Sequence, residues 1–315
     1  MIKNDISLLK KIISLYSLSG NEEKLICYLQ KKLASVSSTT IDEAGNLICR
    51  KGKKANDLAI FVHADKVGFM VSKIKPRVQV VGLSDEVENT IKTGSSYKMI
   101  GLSRDGDDEC KIKMKKSKVS GKLLLSGSAG RLGVGDFVAY AWDWFENTKI
   151  IISPGLDNAL GMVAGIKLFE ELSSATLVIT VQEEMGFHGA RKVVETLKPK
   201  KAYVIDATYA DDPCSSVVSG GGVSFCVKDK YFADKKMLNQ LIAIAKTESI
   251  KYQLEVIGSG SSDYAGIANG MGIVPYVFIG IPIKNMHSSR ETVFKTDFEA
   301  AIMFVKALGK KLTGW

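Results

Sequence analysis

The sequence predicts an α/β fold: a mixed sheet flanked by helices, with a small β-barrel inserted into it. Three observations predict this. Apolar runs of strand length alternate with helical patterns near both ends of the chain, as an α/β layer structure requires. From about residue 67 to residue 150 the texture changes to short alternating runs separated by turns, with no convincing helix. The 315 residues, 45% hydrophobic and 24% charged, suffice for a large core and favour two domains. Residues 1–66 and 151–315 form the expected α/β domain, and residues 67–150 the inserted β-rich one.

Ile6, Leu9, Ile13 and Tyr16 recur at helical spacing, with Asn4 or Asp5 placed to cap the helix. Ser19-Gly20-Asn21 ends it, and Glu22-Glu23 open a second helix carrying Leu25, Ile26, Leu29 and Leu33 on one side. Short strands at 39–41 and 47–50 flank the turn at 42–45. Leu58 to His63 is a continuous apolar run, typical of a strand buried on both faces. In the insert, strands are expected at 78–81, 111–114, 122–125 and 137–140. Turns separate them at Gly94-Ser95-Ser96, at 104–107, at 127–130 and at 133–135. Afterwards come a helix from Asn158 to about Leu172, a strand at 176–181, a helix at 189–197 and a strand at 202–205. A helix at 233–248, an apolar strand at 275–281 and a helix at 297–308 complete the α/β part.

Composition excludes several classes. The longest apolar runs fall well short of a membrane span, and Lys10-Lys11 interrupt the one stretch, Ile6 to Leu18, that could serve as a signal sequence. Five cysteines, odd in number and never spaced C-x-x-C, argue against a disulfide framework or a thiolate zinc site and for a reducing cytoplasm. The net charge is +9, but no nucleic-acid recognition motif accompanies it, so a solvated lysine-rich surface is expected and no nucleic-acid or membrane partner.

The chain has only three histidines, and two stand close to strand ends. His63 ends the first buried strand, and His287 follows the last apolar strand. Glu183-Glu184 and Asp206 directly follow two other strands, and Asp157 precedes a helix. The functional crevice of an open α/β sheet lies beyond the carboxyl ends of its strands. If those strands are parallel, His63, Glu184, Asp206 and His287 converge there. So many buried carboxylates require cations. Two imidazoles and three carboxylates without a thiolate suit a pair of divalent ions, zinc, cobalt or manganese. Each acid taken singly is an ordinary loop residue; the set is not. Asp65, two residues past His63, is placed to hold the far imidazole nitrogen. Of the adjacent pair Glu183-Glu184, one can bind metal while the other faces substrate as general base.

This constellation resembles the TET-type glutamyl/leucyl aminopeptidases, co-catalytic binuclear metallopeptidases, some of which are named cellulases or deblocking aminopeptidases. The resemblance rests on His63-x-Asp65, Leu156-Asp157-Asn158, Gln182-Glu183-Glu184-x-Gly186-x-x-Gly189-Ala190, Asp206 at a strand end and His287-Ser288, and it covers nearly the whole chain. It implies a zinc-exopeptidase-like sheet and two metal ions per subunit, most simply zinc. His63, Asp157 and Asp206 would hold one ion, and Asp157, Glu184 and His287 the other. Asp157 would bridge, Glu183 would be the general base and Asp65 would orient His63. It also implies peptide substrates cut at their N-terminus, an inserted dimerisation domain, and dimers that assemble into dodecamers.

Four positions depart from the family pattern. Lys66 replaces an acid, Ala159 stands where an Arg is usual, His188 replaces another Arg, and Ser261-Ser262-Asp263-Tyr264 approximates Gly-Thr-Asp-Ala. None removes an inferred ligand or the base. An impaired metal-binding scaffold is the alternative; the retained Glu183 argues against it. Carbohydrate hydrolysis would need an acid and a nucleophile instead of metals. Ser219-Gly-Gly-Gly222 does not form a dinucleotide fingerprint. Gly258-Ser-Gly260 is expected to be a flexible loop near the site, and Trp142 and Trp144 to pack within the barrel.

Overall fold

The computed structural model describes residues 2–105, 108–213, 215–258, 260–268 and 274–313. Helices α1 (Ile2–Ile13) and α2 (Glu23–Leu33) precede the hairpin β1 (Ser38–Ile41) and β2 (Leu47–Lys51), then the buried strand β3 (Ala59–His63). Strands β4 (Phe69–Lys73) and β5 (Gln79–Gly82) lead to a short helix α3 (Asp85–Asn89). Next come β6 (Ser96–Leu102), β7 (Glu109–Lys116), β8 (Leu123–Gly127) and β9 (Phe137–Tyr140). Beyond them run β10 (Phe145–Glu146), β11 (Ile150–Ile152), α4 (Leu156–Glu171), β12 (Ala175–Thr180), α5 (His188–Leu197) and β13 (Ala202–Tyr209). The chain continues through β14 (Val223–Lys228), α6 (Lys235–Thr247), β15 (Tyr252–Val256), α7 (Asp263–Ala268), β16 (Tyr276–Lys284), β17 (Thr292–Phe294) and α8 (Lys295–Thr313).

The large sheet runs β1-β2-β12-β3-β13-β16-β17-β11-β10, with β14 paired to β16 and β15 to β14. It is mixed: β12, β3, β13 and β16 are mutually parallel neighbours, and the flanking hairpins are antiparallel. Strand β3 shows why its sequence is apolar throughout. Ile60 and Val62 pack into the core under α1, α2, α4 and α8, while Ala59 and Phe61 pack on the opposite face against α5 and α7. Strands β4-β5-β8-β7-β6-β9 close into a barrel with a core of its own, including Phe69, Met99, Met114 and Val138.

The position of the crevice follows from register. Strand β13 pairs with β3 only over Ala202–Val204 and then continues beside β16 as far as Tyr209. Beyond Phe61 and Val204 the two parallel strands part, and the gap opens at their carboxyl ends.

Several expectations need correction. Asp206 does not follow its strand but lies within it, because pairing with β16 carries β13 past the point where β3 leaves. Asn4 and Asp5 lie inside α1 and do not cap it; Asp5 instead faces Lys167 at 3.6 Å. A helix, α3, does occur among residues 67–150; at five residues it is too short for periodicity to reveal. Trp142 and Trp144 do not enter the barrel core, since the last barrel strand ends at Tyr140: Trp142 is exposed, and Trp144 packs at the edge of the α/β core. The glycine cluster at 219–222 serves packing, with the Gly220 and Gly222 amides donating to buried Asp297 at 2.7 and 2.8 Å. Gly106 and Asp107 of one expected turn, Ser259 of the expected loop, and Cys214 lie outside the described residues.

Candidate active site

His63, at the end of β3, turns Nε2 into the gap between the strands. That nitrogen lies 3.2 Å from Asp206 Oδ1, 3.3 Å from Asp157 Oδ1 and 3.9 Å from Glu183 Oε2. His287, in the turn after β16, brings its Nε2 to 3.3 Å from both Asp157 Oδ2 and Glu184 Oε2. The structure thus brings His63, Asp157, Glu183, Glu184, Asp206 and His287 together. Asp157 lies between the two imidazoles and turns one oxygen to each.

Two buried carboxylates outside this cluster hold it in place. Asp65 has no exposed surface. It accepts from Ser19 Oγ at 2.7 Å and from the Glu183 and Glu184 amides at 2.9 and 3.1 Å, which pins the loop after β12 to the loop after β3. Its link to His63 is shared: Nδ1 lies 3.1 Å from the Asp65 carbonyl oxygen and 3.6 Å from Oδ1. Glu291 does the same for the other half. Its Oε2 accepts from the Leu156 and Asp157 amides at 2.7 and 3.2 Å, and its Oε1 from the His287 amide at 2.9 Å. Asn158, joined to Asp157 by a cis peptide, donates to the Ile205 carbonyl at 2.9 Å and ties the start of α4 to β13.

Ser262 Oγ donates to Asp206 Oδ2 and Thr180 Oγ1 to Asp263, both at 2.5 Å. Sequence reasoning missed Glu291, Ser262, Asp263 and the outer contact between Glu86 Oε2 and His287 Nδ1 at 2.8 Å. The serine and Asp263 had a signal in the loop at 261–264; Glu291 and Glu86 had none. His188 is exposed at the start of α5, and Ala159 is fully buried in α4.

Burial raises the carboxyls of Glu183, Glu184 and Asp206, and mutual repulsion adds to it. Burial pushes Glu291 up to about 8 and Asp263 up to about 7. Burial alone would lower the two imidazoles, but Asp206 and Glu183 beside His63, and Glu184 and Asp157 beside His287, hold both well above the ordinary histidine value. Asp157 goes the other way: burial would raise it, but the two imidazoles hold it below the usual carboxylate range.

This arrangement is one cations would complete. Asp157 Oδ1 is buried without a hydrogen-bond partner. His63, Asp157 and Asp206 offer ligand atoms within 4.8 Å of one another, and so do Asp157, Glu184 and His287. All the donors are nitrogen or oxygen, the set that zinc, cobalt and manganese accept. The cluster forms one wall of a cavity of about 450 Å³, whose other walls come from β13, β14, the segments after β14 and β15, and α7.

A family model for the M42 glutamyl aminopeptidases matches residues 45–304, which takes in all of these side chains. The chain belongs to that family. Membership makes it a metal-dependent aminopeptidase, a hydrolase of the peptidase class, and the M42 family uses divalent metals. A putative aminopeptidase of Acetivibrio thermocellus is 28% identical over 96% of this chain and 97% of its own length. Among solved structures, an aminopeptidase from the archaeon Desulfurococcus kamchatkensis is 27% identical, covers 99% of this chain and 96% of its own, and has a TM-score of 0.86. The Pyrococcus horikoshii TET1 peptidase, which can assemble into a tetrahedron or a large octahedral shell, is 20% identical, covers 97% and 99%, and has a TM-score of 0.84. The match spans both the sheet and the barrel, so the M42 fold holds across the chain. No helix among the described residues is long and apolar enough to cross a membrane.

Proposed function

We propose that the protein is a two-metal aminopeptidase that removes N-terminal residues from peptides. The carrying observation is that Asp157 joins two ligand triads, His63/Asp157/Asp206 and Asp157/Glu184/His287, while Glu183 lies beside them on the same cavity. These residues would hold two divalent ions, zinc being the simplest choice for the donor set and cobalt or manganese the alternatives. Ions bound there would polarise an attacking water and the scissile carbonyl.

Glu183 supplies the proton transfer. Its carboxylate accepts the proton from the attacking water and returns it to the departing amine. Asp65 supports this from behind, through the amides of Glu183 and Glu184 and through the ring of His63. Substrate would reach the cluster from the cavity that Glu183 and the two triads share.

The assembly reading is ours too. Residues 67–150 act as a dimerisation domain between the two segments, 1–66 and 151–315, of a catalytic domain, and the protein works as a homo-oligomer, from dimer to dodecamer. The separate barrel core and the assembly of the TET1 peptidase support this. A cytoplasmic location is supported by the free thiols of Cys27, Cys49, Cys110 and Cys226.

Elemental analysis and hydrolysis of aminoacyl-p-nitroanilides test the reaction together. Wild-type protein should carry two ions per chain and lose activity on chelation. Glu183→Gln should keep both ions and lose about 10²–10⁴-fold in kcat. A Glu183→Gln protein as active as wild type would refute the assignment of the base.

A further inference from the structure

Strand β15 reads the wrong way round for its surroundings. It buries Glu255, 2% exposed, and turns Leu254 and Val256 outward, 45% and 54% exposed. Alternation by hydrophobicity would do the opposite. A place where a sequence breaks its own pattern is where a functional demand is expected to override packing.

Glu255 lies on the wall of the same cavity as the ligand cluster. Its two oxygens are held from other strands of the sheet: Thr208 Oγ1 on β13 donates to Oε1 at 2.5 Å and Ser224 Oγ on β14 donates to Oε2 at 2.9 Å. Both donors are neutral. They fix the direction of the carboxylate without neutralising it, and each oxygen keeps acceptor capacity. Asp229, just past β14, lies on the same wall, where it accepts from the Tyr264 hydroxyl and the Lys230 amide. No Lys or Arg is among the described residues lining this cavity. The same cavity is lined by the apolar side chains of Ile257, Phe278 and Met286 and by the hydroxyls of Thr208, Ser261 and Ser262.

We propose that Glu255, assisted by Asp229, forms the pocket for the substrate's first side chain and selects a cationic one, lysine or arginine. This rests on the aminopeptidase reading of the same site. Metal ions would neutralise the ligand carboxylates and Lys228 and Lys230 act on Asp229, but neither set supplies a counter-charge to Glu255. A long aliphatic stem ending in an ammonium or guanidinium suits a cavity that offers apolar side chains for the stem and a fixed carboxylate for the charge. A leucine side chain would bury Glu255 uncompensated, and a glutamate would set like charges together. Burial raises the Glu255 carboxyl, and a bound cation would restore its charge. The chain's net charge of +9 would favour acidic peptides at long range, but the groups at contact distance decide which side chain fits.

The test compares lysyl-, norleucyl- and glutamyl-p-nitroanilide with the metal-loaded enzyme. It adds calorimetric binding of lysinamide and norleucinamide, which needs no turnover. Lysine should exceed norleucine by about tenfold or more in kcat/KM and in affinity, with glutamate the poorest substrate. Glu255→Gln should bring the lysine-to-norleucine ratio close to one, which loss of packing alone would not do. Asp229→Asn should lower the same ratio and serves as second variant if Glu255→Gln does not fold. If norleucyl or glutamyl substrate is cleaved as well as lysyl, the pocket assignment is wrong and the aminopeptidase reading stands. If nothing is cleaved, that reading fails, and equal binding of the two amides then overturns the pocket assignment independently.

Discussion

Lys66→Met should change how stability depends on pH. Lys66 is 6% exposed, with Nζ donating to the Ile12 carbonyl and Ser17 Oγ, each at 3.2 Å. Its stem packs over Gly155, just before the turn that presents Asp157, and a Cβ added at Gly155 would meet Lys66 Cδ at 2.7 Å. Burial lowers its pKa from 10.5 to about 7, against the opposing pull of Glu291 and Asp65. Above pH 7 the native state therefore releases a proton that the unfolded chain keeps until pH 10.5. The unfolded state binds more protons, so the contribution of Lys66 to stability rises with pH across that window, by about 1.4 kcal/mol per unit. From pH 6 to pH 9 the gain is about 2.7 kcal/mol. Methionine fills a similar volume without titrating, so Lys66→Met should lack this gain and should be the more stable protein at pH 6. Urea unfolding at pH 6 and pH 9, with chelator present in both, reads the double difference. Contributions from every other titrating group common to the two proteins cancel to first order. If wild type and variant change by the same amount between the two pH values, Lys66 keeps an ordinary pKa and the burial argument fails.

Two further outcomes follow from the supports of the site. Glu291→Gln puts an amide NH₂ against backbone N–H groups that now donate to a carboxylate. Metal affinity, followed by titration into chelator-stripped protein, should weaken by about 10–100-fold with the cavity-side residues untouched. Gly161→Ala should destabilise the fold by about 1–3 kcal/mol in urea unfolding. Its Cβ would fall 1.9 Å from Asn158 Oδ1 and 2.5 Å from the Ile205 carbonyl, forcing apart the start of α4 and β13.

The sheet and the side chains that gather at its crevice were legible because both leave local marks. A strand buried on two faces must be apolar throughout, as Ala59–His63 is, and a titratable residue at its end then stands out. His63, Asp157, Glu183, Glu184, Asp206 and His287 could each be placed by one neighbouring element. Asp206 was placed one step wrongly because the end of β13 is set by pairing with β16, a strand 74 residues away at the Asp206↔Gly280 register. Glu291 left no such mark. Its partners, the amides of Leu156 and Asp157, lie 135 and 134 residues earlier, and an acid that accepts backbone hydrogen bonds looks in sequence like any surface acid.

Glu255 was hidden for a different reason. In Tyr252–Val256 Leu254 and Val256 face outward and the acid inward, so a pattern reading of this strand misses the acid's burial. The same inversion carries the information that pattern reading lacks. A buried carboxylate held only by neutral hydroxyls is costly unless something cationic completes it. Asp157, Glu184 and Asp206 are buried carboxylates gathered around His63 and His287, and metal ions are the natural complement there. Glu255 lies outside their ligand triads and shares their solvent space. A mobile cation carried in by the substrate is then what that wall can accept, so the electrostatic reasoning that leads from the ligand cluster to metal leads from Glu255 to the peptide's first side chain.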